Sequence, residues 1–245
     1  MIVPKEQDLK PCNMLAKRLV ENQQRSATLK LVGGDKDKHD ELEAMLEASK
    51  PPIESSLDQR HFLIKTPFRY PPLRNGSRFG KHTEKGIFYA SSNLECLFAE
   101  VAYYRFVFLD DMEAPFKEWI TTEHTVFDIR IKSETMLSLD EAPFDEYTEL
   151  WIDPINYAAC KALGAQARAI GAEVIRYYSA RALKQIRNYA VFDHNAIEGE
   201  PVNLQGIRCT LNASKCIFVN VQNNEMWTGI IDDFLHEGVL PRPSD

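Results

Sequence analysis

Residues 75–104 read "NGSRFGKHTEKGIFYASSNLECLFAEVAYY", and this stretch decides the fold. Gly76 and Gly80 bracket Ser77-Arg78-Phe79, which predicts a tight turn, because glycine lets a backbone bend sharply and approach a ligand closely. "GIFYAS" follows as a strand. Ser92 and Glu95 have capping-box spacing, in which a serine and a glutamate three residues on satisfy each other's backbone donors. Leu94, Leu97, Phe98 and Val101 then recur at i, i+3, i+4 and i+7, the buried stripe of a helix. At about 100° per residue, Glu100 falls roughly 110° from the middle of that stripe. That is the flank of the helix, where a carboxylate can edge a cleft.

Outward from this stretch the chain alternates between strands and helices. "HFLIKTPFRY" before it alternates loosely and ends at Pro71-Pro72, which predicts a strand. After it, "HTVFDIRI" reads as a strand and residues 133–152 as an acidic, less regular section. "DPINYAACKALGAQARAIG" reads as a helix, with Asp153 as cap, Pro154 in the first position and Gly171 as the stop. "AEVIRYYSA", ending at Ser179, "YAVFD" and "CIFVNV" are further strands. Mixed strands and helices without strict alternation predict an α+β, mixed α/β fold. Residues 1–50 differ: "NMLAKRLVENQQ" and "DKHDELEAMLEASK" are charged and helix-prone, parted by Gly33-Gly34-Asp35. They predict a helical N-terminal extension, with the main domain over 51–245.

Composition narrows the function. The chain has 245 residues, 44% of them hydrophobic, with a formal net charge of −7, so one good-sized core is affordable. An acidic balance argues against direct nucleic-acid binding, which needs a basic surface. Five scattered cysteines without a CxxC pair predict free thiols in a reducing, cytoplasmic setting. The polar start "MIVPKEQDLK" is unlike a signal peptide, and no apolar run reaches the roughly 20 residues of a membrane span. The six histidines are isolated from one another and from the cysteines, so no metal is expected.

The candidate site residues each have an ordinary reading when taken alone. Arg78 is a turn arginine, or a planar fork for a phosphate or carboxylate. Arg69 in "PFRYPP" is a strand arginine in a salt bridge, or a second cation. Tyr89 is core packing, or an aromatic face beside a cleft. Glu100 is a solvated helix residue, Ser179 a strand-end serine. Their order and spacing set them apart.

In that order and spacing the chain resembles the RES-domain family, named for an arginine, a glutamate and a serine. The matching stretches are "FRYPP", "NGSRFG", "GIFYASSNLECLFAEV", "RYYSAR" and "RNYAVFD", covering most of residues 60–220. Arg78, Tyr89, Glu100, Ser179 and Asn188 fall in the family's order. The resemblance implies a core similar to the ADP-ribosyltransferase toxins, with a split central sheet. It implies a NAD+-degrading toxin of a toxin–antitoxin pair, cleaving the nicotinamide–ribose bond by hydrolysis or phosphorolysis. The alternatives are a protein ADP-ribosyltransferase using NAD+ as donor and a catalytically inactive interaction module of the same fold. Arg78, Glu100 and Ser179 would be catalytic, while Arg69, Tyr89 and Asn188 would bind NAD+, the substrate. The implied partner is an antitoxin with an Xre-like helix-turn-helix domain; whether the chain forms homo-oligomers is left open. The first fifty residues and the acidic section 133–152 depart from the family's pattern.

Overall fold

The structure, a computed structural model, describes residues 2–22, 25–72, 74–113 and 118–243. In chain order it contains β1 (Leu9–Glu21), α1 (Arg25–Leu31), α2 (Lys36–Ala48), α3 (Phe62–Arg69), β2 (Phe88–Ser91) and α4 (Leu94–Asp110). Then come β3 (Ile120–Ser138), α5 (Thr148–Trp151), α6 (Ala158–Ala169), β4 (Val174–Tyr178), β5 (Arg187–Val191), β6 (Ile197–Leu211), β7 (Lys215–Asn220) and β8 (Met226–Ile230). The class is the mixed α/β expected from the sequence.

The strands run β1-β2-β5-β4-β3-β6-β7-β8, and β1 also pairs with β3. The second pairing turns β1-β2-β5-β4-β3 into a closed ring, with β6, β7 and β8 continuing from β3 as an open flap. The sheet expected to be split is therefore hydrogen-bonded throughout, and its division is between ring and flap. All pairings are antiparallel except β3 with β4.

Alternation along the strands sorts the core into three parts. Ala16, Phe88, Phe127, Ile129, Val174 and Val191 meet in one cluster that draws on every strand of the ring, which makes it the ring's interior. Neighbouring residues of the same strands, such as Ile175 and Ala190, face outward onto Cys160, Leu163 and Ala167 of α6. The flap presents Ile207, Cys209, Leu211 and Phe218 to Leu97, Phe98, Ala102 and Phe106 of α4. The expected stripe of α4 is thus largely the buried one, although Leu94 and Val101 are only partly covered.

Four local expectations are corrected. Residues 9–21 form a strand instead of the helix their composition favours. They pair with β3 from Leu9 opposite Leu137 to Glu21 opposite His124, with a register shift between Lys10 and Cys12. Pro11, which cannot donate to a ladder, falls at that shift. Helical structure in the extension is confined to α1 and α2. "HFLIKTPFRY" forms α3, because Leu63, Ile64 and Phe68 at helical spacing reach the ring's core together. The cap of α4 is Asn93, whose side chain accepts from the Cys96 amide at 2.9 Å, one residue later than the Ser92 box. Asp153 accepts from the amides of Ile155 and Asn156, both at 2.8 Å. It closes a turn before α6, which itself begins at Ala158.

The acidic section 133–152 acquires a structural role. Asp140 bonds Arg176 and Arg187, each at 2.7 Å, and Glu141 bonds Arg176 and Lys10. This ties the segment after β3 to β4, β5 and β1. Because β1 pairs over its whole length, alternate residues must differ in their tolerance of charge. Ala16 is fully buried and Leu15 is 50% exposed. Ala16→Asp is expected to cost about 3 kcal/mol or more, and Leu15→Asp less than about 1 kcal/mol, in denaturant unfolding. Equal losses at both positions would contradict the strand.

Candidate active site

Glu100 leaves the flank of α4 half-buried and is held through one oxygen. Its Oε1 accepts from Ser179 Oγ at 2.6 Å and from Asn188 Nδ2 at 2.8 Å. None of the described residues donates to Oε2. Ser179 stands just past the end of β4, and Asn188 lies within β5, so two adjacent strands fix a carboxylate presented by a helix.

Each of those donors is oriented in turn. Ser179 Oγ accepts from the amides of Arg181 and Ala182, at 3.0 and 3.1 Å. With its lone pairs so engaged, the hydroxyl hydrogen is directed to Glu100. Asn188 Oδ1 accepts from Ser91 Oγ at 2.6 Å and from Cys96 Sγ at 3.0 Å. Burial, and then the charge of Glu100, push the Cys96 thiol up to about 12, which keeps it a protonated donor. A carboxylate accepts only, so the amide nitrogen of Asn188 must face Glu100.

The turn carrying Arg78 forms as expected. Ser77 and Gly80 exchange backbone hydrogen bonds, and Gly76 has φ +70°, where an added Cβ would lie 2.4 Å from the Gly80 carbonyl oxygen. The turn points Arg78 inward. The side chain is 7% exposed; Nη1 donates to the carbonyls of Trp151 and Asp153, at 2.9 and 3.0 Å, and Nη2 to Tyr157 Oη at 2.9 Å. Its guanidinium also lies 4.1 Å over the Tyr157 ring. This fork grips protein, joining the turn to the segment between α5 and α6. On α6, Gly164 allows close approach, since a Cβ there would meet the Phe79 carbonyl oxygen at 2.2 Å.

Tyr89 donates to Ser77 Oγ at 2.9 Å and accepts from the Phe79 amide at 3.2 Å. Burial raises its phenol to about 12, so the hydroxyl stays protonated and fastens the turn to β2. Arg69 is not brought to this group. Its Nε donates to the Pro51 carbonyl and its Nη1 to Glu47, both at 2.6 Å, pinning α3 to the end of α2. The structure thus gathers Glu100, Ser179 and Asn188 in direct contact, sets Arg78 in a turn that Tyr89 of β2 fastens and leaves Arg69 elsewhere.

Tyr157 and Arg181 were missed by the sequence reading. Arg181 Nη2 donates to Tyr157 Oη at 3.2 Å and to the Pro154 carbonyl at 2.9 Å, so two arginines share one phenol. Arg181 was visible in "RYYSAR", two residues past Ser179, and its spacing was the available signal. Tyr157 carried none. Among the described residues, no group of three or more His, Cys, Asp or Glu side chains could hold a metal.

Turn, carboxylate and oriented donors together make a mixed α/β domain in which one acidic side chain is held by donors from two adjacent strands. The chain belongs to the RES-domain family, whose model matches residues 54–212, a span that includes Arg78, Glu100, Ser179 and Asn188. Comparison with curated proteins gives no significant match. Among solved structures the chain is similar to a chain in the crystal structure of the M. tuberculosis MbcT–MbcA toxin–antitoxin complex. The alignment has 12% identity and a TM-score of 0.45, covering 85% of this chain and 92% of that one.

The burial of Arg78 makes a stability prediction. Arg78→Met leaves its buried acceptors unpaired, which is expected to cost about 2–4 kcal/mol and lower Tm by roughly 5–15 °C. An unchanged Tm by calorimetry would remove Arg78 as an anchor of the turn.

Proposed function

We propose that the protein is the NAD+-degrading toxin of a toxin–antitoxin pair and cleaves the bond between nicotinamide and ribose by hydrolysis or phosphorolysis. The observation that carries this reading is Glu100, with one oxygen fixed by Ser179 and Asn188 and the other without a donor among the described residues. Membership of the RES-domain family supports it.

The chemistry suits such a carboxylate. When the C1′–N bond of NAD+ breaks, both electrons leave with the ring, and the cationic pyridinium becomes neutral nicotinamide. Positive charge appears on the ribose as an oxocarbenium-like species. A preorganised carboxylate stabilises that charge more than it stabilises the neutral ground-state sugar, as in glycoside hydrolysis. Glu100 Oε2 is free to accept from ribose hydroxyls, while Oε1 keeps the carboxylate from turning. Water or phosphate then bonds to C1′ and gives up a proton to solvent or to Glu100.

Ser179 and Asn188 act as positioning residues through Glu100. Tyr89 braces the turn through Ser77 and Phe79, and Arg78 holds the turn while adding positive charge behind it. Arg69 takes no part, because its guanidinium is occupied by Glu47 and Pro51. The partner is an antitoxin with an Xre-like helix-turn-helix domain, and the toxin acts in the cytoplasm, where NAD+ is available.

Glu100→Gln keeps the shape and removes the charge. It is expected to lower nicotinamide release on the order of 100- to 1000-fold with an unchanged Tm, as measured by chromatography of NAD+ reactions. Wild-type turnover in that variant would reject Glu100, and no nicotinamide release by the wild-type protein at any phosphate concentration would reject the activity. Ser179→Ala and Asn188→Ala are expected to fall mainly in kcat, since each loosens Glu100 without removing it.

A further inference from the structure

We propose that Arg181, with a small cavity it shares with the C-terminal segment, takes the diphosphate bridge of the dinucleotide. This rests on the NAD+ reading above and deepens it.

Arg181 is rigidly coupled to the carboxylate. Its amide donates to the same Ser179 oxygen that donates to Glu100. Its guanidinium is pressed from one side at 3.6 Å over the Tyr103 ring, and Tyr103 is itself fixed by a 2.5 Å bond to the Pro241 carbonyl. The side chain is 6% exposed, yet among the described residues no carboxylate lies within ion-pair distance of it. Arg176, by contrast, has Asp140 and Glu141. Taking a cation out of water without a counter-ion is costly, so an anion that arrives with the ligand would supply what the protein withholds.

The guanidinium also has capacity left and space to use it. Nη2 is spent on Pro154 and Tyr157, while Nε and Nη1 meet no protein acceptor among the described residues. Arg181 borders a cavity of about 110 Å³ with Pro154, Asp233, Phe234, His236 and Pro241. That is several times the roughly 10–15 Å³ that admits one water. A planar guanidinium fork suits phosphate oxygens. Asp233 is the opposing charge on the cavity's rim. Phe234, His236 and Pro241 lie beyond residue 212, where the family match ends.

The ligand's charges fit the same arrangement. Arg78 and Arg181 share Tyr157, and Ser179 links the Arg181 amide to the Glu100 carboxylate. NAD+ brings two phosphate charges and one pyridinium, a net charge of minus one. The nicotinamide end matches Glu100 and the diphosphate end matches Arg181.

The test is calorimetric titration of the full chain with ADP, which has the diphosphate and lacks the scissile bond. Arg181→Lys keeps the charge but loses the fork, and is expected to weaken ADP about tenfold or more. Glu100→Gln is expected to leave ADP affinity within about twofold, and Asp233→Asn to tighten it by about two- to fivefold as the opposing charge goes. Wild-type affinity should fall as salt rises. ADP affinity in a folded Arg181→Lys variant equal to wild type overturns the proposal, as does no ADP binding by wild type. Inorganic phosphate displacing a bound nucleotide as well as ADP does would mark a free-phosphate site and also overturn it. Should Arg181→Lys fail to fold, Asp233→Asn decides, and ADP affinity unchanged in that variant overturns the proposal. Arg181-dependent ADP binding without NAD+ cleavage rejects the activity alone; NAD+ cleavage with Arg181-independent ADP binding rejects the present assignment alone.

Discussion

A half-buried carboxylate is useful only if its oxygens are told apart, and in this protein Asn188 does that. Its amide reaches three residues on two elements: Ser91 on β2, Cys96 on α4 and Glu100 one turn further along the same helix. The amide nitrogen can only face the carboxylate, because a carboxylate has no hydrogen to give. The thiol and hydroxyl must then serve the amide oxygen. The result is a satisfied polar network in which no member can rotate without stranding another. The register of β5 against β2, with Ser91 opposite Asn188, is therefore also the register of the site.

The surroundings of that network are built to stay put. The tail grips α4 twice, through the Pro241 carbonyl on Tyr103 and through Arg242 on Asp110 and Asp111. On the other side, Asp140 draws Arg176 and Arg187 together immediately before Asn188. The ring behind β2 and β5 is closed by β1, which removes the sheet edge that the first strand of the family match would otherwise leave open. Residues outside residues 54–212 thus contribute to the frame of the site at both ends of the chain.

Two cations in the site separate what residue type implies from what position decides. From the sequence, Arg78 in its glycine turn is the obvious anion fork, since arginine and close backbone approach occur together. In the fold the same turn aims the fork inward at two carbonyls and a phenol. Arg181 stands in a plain strand-to-loop passage and borders a small cavity. Arg69 has the right residue type and the wrong neighbours. A one-dimensional pattern singles out Arg78 but does not give the partners of any of these three arginines, because the difference lies in which acceptors the rest of the chain brings to them.

The sequence by itself determined what is local or carried by order. It specified the 75–80 turn, the strand and the long helix after it, the flank position of Glu100, and the succession Arg78, Tyr89, Glu100, Ser179, Asn188 that marks the family. Hydrophobic spacing and glycine chemistry act over a few residues, so they can be read along the chain. Tertiary structure decided the rest. It made a strand of Leu9–Glu21 against its helical composition, because pairing with β3 satisfies a whole ladder of backbone groups that local propensity cannot outweigh. It made a helix of Phe62–Arg69, because the ring's interior could be reached by Leu63, Ile64 and Phe68 from one side. It also placed Ser179 and Asn188 on one oxygen of Glu100, a contact between residues 79 and 88 positions apart in the chain, which exists only once β4 and β5 are side by side.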